Sequence, residues 1–152
     1  MALVIKQATL DDLDLLMAWR MEVLRDVFSV PAEDPMTALT AENRAYYERE
    51  LPTGGHIACF AELDGEVIGC GGVCLYHEMP SPDNATGACA YLMNIYTRPP
   101  YRGQGIAKAT VQWLLDRVAE QGVTKVFLET SVSGRPLYES FGFEDMKDYM
   151  KL

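Results

Sequence analysis

The sequence predicts an α/β (α+β) fold: a mixed, mostly antiparallel central sheet with helices on both faces. Three observations carry that prediction. The chain has 152 residues, 49% hydrophobic and 23% charged, enough to bury one core and too apolar to remain disordered. Its apolar segments, assigned by their period, run in the order β-α-α-β-β-β-α-β-α-β. Three strands precede a strand–helix–strand unit, and that unit is the part that calls for a parallel pairing. Without repeats, low-complexity tracts or a long linker, residues 1–152 read as one domain.

Residues 3–8 form the first expected strand. Thr9 then opens a helix, with Asp12 three residues on in capping-box spacing. Leu13, Leu16, Met17, Leu24, Val27 and Phe28 recur at helical intervals, so this helix is expected to reach about residue 28. Pro31 and Pro35 make residues 29–39 a loop, and a second helix is expected over 40–51, ended by Pro52 and the Gly54-Gly55 pair. Strands 56–63 and 66–76 flank Asp64-Gly65, a hairpin turn pair. Gly69, Gly71 and Gly72 inside the second of these suggest a bulge or a close backbone approach. Residues 78–87, with Pro80 and Pro82, read as a loop, and the mostly apolar 89–97 as a central strand. Ala107, Val111, Leu114, Leu115 and Val118 mark a helix ending before Gly122, and 124–130 a further strand. Pro136 and Gly142 bracket a short helix, and the chain is expected to close as strand from Phe143 onward.

Composition narrows the function classes. No apolar run approaches the roughly 20 residues of a membrane span. The N-terminal residues lack the basic start and small-residue cleavage site of a signal peptide, so a cytoplasmic location is expected. A net charge of −9 argues against binding nucleic acid through its phosphates. Cys59, Cys70, Cys74 and Cys89 lack metal-ligand spacing, and His56 and His77 are isolated, so no metal site is expected. The cysteines read as small buried hydrophobes.

Residues 98–107, Arg-Pro-Pro-Tyr-Arg-Gly-Gln-Gly-Ile-Ala, join the central strand to the long amphipathic helix. Gly103 and Gly105 leave backbone N–H groups open to close approach where the helix dipole is positive, which makes an anion site. Arg98, Arg102 and Lys108 crowd the same turn against the global charge, and together they point to a phosphate-bearing ligand. A nucleotide P-loop needs Gly-Lys-Ser/Thr in succession, whereas Lys108 lies between Ala107 and Ala109. A dinucleotide fingerprint needs a third glycine where Lys108 stands, and βαβ units around it.

What remains is Arg-x-x-Gly-x-Ala from Arg102 through Gly105 to Ala107, followed later by Leu137-Tyr138-Glu139-Ser140-Phe141-Gly142-Phe143. In this order and separation the two motifs resemble the GNAT superfamily of acyl-CoA N-acyltransferases, over essentially the whole chain. The resemblance implies acetyl-CoA as co-substrate and direct transfer to a primary amine in a ternary complex. It implies that Arg102, Gly103, Gln104, Gly105, Ile106 and Ala107 hold the coenzyme pyrophosphate. Ile95, Tyr96 and Thr97 would border the pantetheine arm and thioester along a splayed central strand, with Ser131 and Leu137 also on the coenzyme. Ser131 stands where family members commonly carry asparagine. Tyr138 would protonate the departing thiolate; a phenol near pKa 10 keeps its proton at pH 7.

The general base is left open among Glu62, Glu66, Glu129, Asn94 and His77. The acceptor pocket is expected between the loops 29–39 and 78–87, where Glu33, Asp34, Glu78 and Asp83 form an acidic rim and Phe28, Tyr46 and Tyr47 add aromatic walls. That rim favours a neutral-to-cationic amine, either a small molecule or a lysine or N-terminal amine. Homodimer formation is left open. Two other readings remain at this stage: a non-catalytic acyl-CoA-binding sensor or regulatory domain, and a phosphate-anchored nucleotide-binding module.

Overall fold

The computed structural model describes residues 2–152. Five strands lie side by side in chain order: β1 (Leu3–Gln7), β2 (His56–Leu63), β3 (Glu66–His77), β4 (Ala88–Thr97) and β5 (Lys125–Leu128). The first four pair antiparallel, and β5 runs parallel to β4. Helices α1 (Leu13–Val27) and α2 (Thr37–Glu50) cover one face; α3 (Ile106–Glu120) and the short α4 (Arg135–Glu139) cover the other. Among the described residues no helix is long and apolar enough to cross a membrane.

β2 shows why the strands read as unbroken apolar runs. Ala58 and Phe60 pack with Leu16, Trp19 and Val23 of α1 and Tyr47 of α2, whereas Ile57 and Cys59 pack with Val111, Leu114 and Val118 of α3. Alternate residues face opposite helical layers, so neither set can be polar. The glycines of β3 serve close approach: a Cβ at Gly71 would lie 2.6 Å from Thr110 Cγ2, and one at Gly72 2.6 Å from His56 Nε2. An extra residue also enters β3 at Ile68, just before Gly69, where the register against β2 shifts.

Several element ends move. The capping box at Thr9 forms, but it starts a 3₁₀ turn (Leu10–Asp12) that leads into α1. α2 begins three residues earlier than its sequence pattern suggests. Asp34 Oδ1 accepts from the Met36 N–H at 2.9 Å and Met36 takes a left-handed φ of 47°, so the chain turns into the helix without a Ser/Thr cap. β5 stops at Leu128 instead of residue 130.

The expected strand from Phe143 onward does not form. Among the described residues no strand follows β5, and a turn at Lys147-Asp148, with Asp148 at φ 72°, interrupts the segment. Charges at Glu144, Asp145, Lys147 and Asp148 leave no period-2 apolar stripe to bury, so the segment has little to gain by joining the sheet.

Candidate active site

β4 has two kinds of neighbour. Cys89 to Leu92 pair with Lys125 to Leu128 of β5, but Met93 to Thr97 continue with β3 alone. The cause lies in β4. Met93 faces Gly72 and Tyr96 faces Cys70, so two residues of β4 oppose the single Gly71, and Asn94 carries φ 61°. Such a bulge bends the strand and raises its twist. It also resets the alternation: Leu92 and Ile95 pack on the α3 side, while Tyr96 turns to α1 and meets Trp19 at 6.3 Å. β4 therefore runs on past the last paired residue of β5, and its edge from Met93 to Thr97 has no ladder partner on that side. At its end Thr97 is 7% exposed, and its Oγ1 is the buried side-chain polar atom that lacks a hydrogen bond among the described residues.

The glycine turn adjoins that end. Pro99–Tyr101 form a 3₁₀ turn, then Gly103 and Gly105 adopt φ 78° and 80°, a backbone state that penalises side chains. Gly105 is the N-cap of α3, and a Cβ at either glycine would meet nothing within 4 Å. Among the described residues, no acceptor stands opposite the N–H groups of residues 103–107. Ile106 is buried with Ala61 and Ile68, which pins the helix start to the sheet; Gln104 is exposed and Ala107 half-buried. Open amides, the helix dipole and vacant space above two glycines fit the pyrophosphate of a coenzyme A ester.

The basic side chains of this turn also make local contacts. Arg98 points back to α1, donating to both carboxylate oxygens of Glu22 at 3.1 and 3.0 Å and stacking 4.3 Å over Trp19. Arg102 donates through Nε to Thr97 O at 2.8 Å and lies 3.3 Å from Asp26. These arginines tie the turn to β4 and α1, and their charge is matched locally. Lys108 alone of the three has no ion-pair partner among the described residues.

Tyr138 lies on α4 and packs with Leu137, Phe141 and Phe143 against the α3-side core that also holds Ile95. Its ring meets Phe143 edge-on at 6.0 Å, and burial pushes its phenol pKa above the ordinary value. Among the described residues its hydroxyl has no hydrogen-bond partner. It lines a cleft of about 780 Å³ together with Leu128, Thr130 and Phe143. Ser131 is engaged locally: its Oγ accepts from the Gly134 N–H at 3.2 Å and lies 3.1 Å from Ser133 Oγ, shaping the turn into α4.

The candidate bases scatter. Glu62 is paired with Lys6 at 2.7 Å on the β1 side, and Glu66 accepts from Tyr101 at 3.4 Å. Glu129 is exposed just past β5, beside Tyr91, whose phenol is pushed up to about 12 by burial and then by Glu129. His77 ends β3 in an exposed position. The acidic rim also divides. Glu78 holds Lys125 with both oxygens at 2.9 Å and, with Asp83, lines a cavity near the start of β5 whose lining includes neither Glu33 nor Asp34.

A polar cluster on the α1/α2 face escaped the sequence reading. Tyr46 Oη lies 2.8 Å from His56 Nδ1 and 3.1 Å from Cys74 Sγ, and Tyr47 packs edge-on to the same imidazole. Beside it Arg20 donates to Asn43 Oδ1 at 2.9 Å and to Asn94 Oδ1 at 3.0 Å. Five elements contribute, so no local spacing reveals the group. One signal was available: Arg20 stands three and four residues after Met17 and Leu16, on the stripe of α1 that otherwise faces the core.

Comparison with known proteins agrees with this arrangement. The sequence model of the Acetyltransferase (GNAT) family matches residues 17–143. An uncharacterized N-acetyltransferase of Escherichia coli, YjgM, is 33% identical over 98 residues; the match spans 62% of this chain and only 54% of that relative. A glucosamine 6-phosphate N-acetyltransferase of Trypanosoma brucei brucei is 25% identical over 118 residues, 78% of each protein. Among solved structures, a predicted acetyltransferase with acetyl-CoA from Clostridium acetobutylicum superposes with a TM-score of 0.87 at 26% identity, covering 99% of this chain and 96% of its own. The chain belongs to the GNAT family of acetyltransferases.

Proposed function

We propose that this protein transfers an acetyl group from acetyl-CoA to a primary amine by direct attack in a ternary complex. The reading is supported by the unpaired edge of β4 from Met93 to Thr97, the open amides of the α3 turn at its end, and Tyr138 on α4, which packs against the same α3-side core as Ile95. Acetyl-CoA supplies the activated acetyl thioester. The N–H groups of residues 103–107 hold its pyrophosphate, with Arg102 positioning the turn and Gln104 at its tip. The backbone of Ile95, Tyr96 and Thr97 lies along the pantetheine arm, and a single N–H aimed at the thioester carbonyl would contribute a few kcal/mol, as oxyanion donors do. Ser131 and Leu137 border the same arm from the α4 side. As the amine nitrogen bonds to the acetyl carbon and the carbon–sulfur bond breaks, Tyr138 donates its phenolic proton to the leaving sulfur and the proton lost by the amine passes to solvent. The raised phenol pKa keeps Tyr138 protonated at neutral pH beforehand.

Direct transfer is favoured over an acyl-cysteine route because burial pushes the Cys59 thiol up to about 12 and raises Cys70 and Cys74 as well. A protonated thiol is a poor nucleophile. The test begins with ligand-induced stabilisation by acetyl-CoA, CoA, ATP and NAD, followed by thiol release across an amine panel. Stabilisation by CoA esters with amine-dependent thiol release is expected. Equal stabilisation by ATP or NAD overturns the coenzyme assignment, and CoA binding with no thiol release from any amine leaves a sensor.

A further inference from the structure

Within the cluster formed by Tyr46, Tyr47, His56, Cys74, Asn43 and Asn94, Arg20 is the one charged side chain at pH 7. Burial lowers His56 to about 4 and raises Tyr47 to about 12, so both are uncharged, and the Cys70 and Cys74 thiols are raised too. The positive charge of Arg20 acts on all four of these groups. Arg20 is half-buried, and its two hydrogen bonds go to neutral amide oxygens, those of Asn43 and Asn94. Both amides are themselves held: Asn43 Nδ2 donates to Leu39 O at 2.9 Å, and Asn94 Nδ2 lies 3.8 Å from Cys70 Sγ.

No carboxylate balances this guanidinium among the described residues. Arg44, Arg49, Arg98, Arg102, Arg117 and Arg135 each pair with an acid, and Arg25 donates to the carbonyls of Pro31 and Asp34. Two acids act on the same neutral groups as Arg20, namely Glu22 and Glu50, and each is taken: Glu22 by Arg98 and Glu50 by Arg49. In a chain with 22 acidic and 13 basic residues, a part-buried arginine that meets only amides is an unmatched charge. Such a charge costs stability until an anion offsets it. Nε and Nη1 are turned to the asparagines and Nη2 has no partner among the described residues, which leaves donors for an oxyanion.

We propose that Arg20, oriented by Asn43 and Asn94, recognises an anionic oxoacid group, carboxylate or phosphate, on the molecule that carries the acceptor amine. The inference rests on the acetyl-transfer reading above, because Asn94 is the bulge residue of β4 and stands beside the segment assigned to the acyl arm. An anion held on Arg20 places the amine of the same molecule close to that segment. A purely cationic acceptor would meet Arg20 unfavourably. The acidic rim inferred from sequence does not offset this, since Glu78 already holds Lys125.

Matched amines decide the question: an α-amino acid against its amide, and an amino-sugar phosphate against the unphosphorylated amino sugar, compared at equal free-amine concentration. Thiol release should show at least a tenfold higher kcat/KM for an anionic member, expressed mainly in KM, and the responding pair identifies carboxylate or phosphate. Arg20→Gln should erase the preference with acetyl-CoA affinity unchanged, and Arg20→Lys should keep part of it, which covers the case in which the glutamine variant misfolds. Calorimetric titration of the same pairs into CoA-saturated protein reads charge selectivity without turnover. Equal or better performance of the neutral members in both assays overturns the proposal, as does a preference that survives in folded Arg20→Gln. Anion-selective binding without thiol release would instead overturn acetyl transfer and leave the Arg20 assignment standing.

Discussion

The two halves of β4 share one backbone and differ in their neighbours. Cys89 to Leu92 have strands on both sides, and Cys89 and Ala90 are fully buried. Met93 to Thr97 have β3 on one side and no paired strand on the other; Met93 is 37% exposed. The first half is core and the second is the edge proposed to bind the coenzyme, and a single inserted residue at Asn94 separates them. Stability and ligand recognition are thus assigned to consecutive segments of one strand, because a backbone edge can hydrogen-bond a neighbouring strand or a ligand but not both.

Substitutions should sort along the same division. The largest effect is expected from Leu114→Ala. Leu114 is fully buried and packs with Leu92 against the first half of β4, so its truncation should cost about 2–5 kcal/mol of stability in denaturant titration. The activity of the folded fraction should change little; a selective loss of kcat at unchanged stability would break the division.

Next is Tyr138→Phe, which keeps the ring packed on Phe143 and removes the hydroxyl. Single-turnover acetyl transfer should slow by about 10²-fold, roughly 2.7 kcal/mol, with acetyl-CoA affinity retained. Because burial raises this phenol, the form that donates persists to higher pH than for an ordinary tyrosine. The alkaline loss of kcat that depends on Tyr138 should therefore lie above about pH 10. Wild-type chemistry in the phenylalanine variant would remove Tyr138 from the mechanism.

A smaller effect is expected from Gly105→Val. The new Cβ has open space, but φ 80° and the crowding of the amides should weaken acetyl-CoA binding at least tenfold, about 1.4 kcal/mol. Equilibrium titration of the folded variant is the measurement, and unchanged affinity would show that the turn does not cradle phosphates.

The smallest is Thr97→Val, which replaces a buried hydroxyl without a partner by a methyl group. Stability should hold or rise by up to about 1 kcal/mol, since no hydrogen bond is lost. A fall in acetyl-CoA affinity in the same variant would mean that the coenzyme itself satisfies Thr97 Oγ1. A drop in stability without ligand would mean that the hydroxyl is satisfied within the protein.

Local sequence patterns determined much of this molecule by themselves. Strand and helix order as far as α4 followed from apolar periods, the Thr9–Asp12 capping box and the Asp64-Gly65 turn were legible from residue types, and Gly103 and Gly105 marked the open turn before α3. These features depend on a few consecutive residues, whose steric and hydrogen-bonding preferences act alone. The tertiary structure decided the rest. Asn94 gives no sign in sequence of being the bulge residue, because a bulge is a mismatch between two strands. Residues 143–152 have the length for a strand, yet their charges leave no alternating apolar face to bury. The ion pairs of Arg98 and Arg102 form only when α1 brings Glu22 and Asp26 beside them. Arg20, Asn43 and Asn94 meet only when α1, α2 and β4 pack, because the Coulomb and hydrogen-bond terms that give such groups a role depend on distance in space, which a sequence records only between near neighbours.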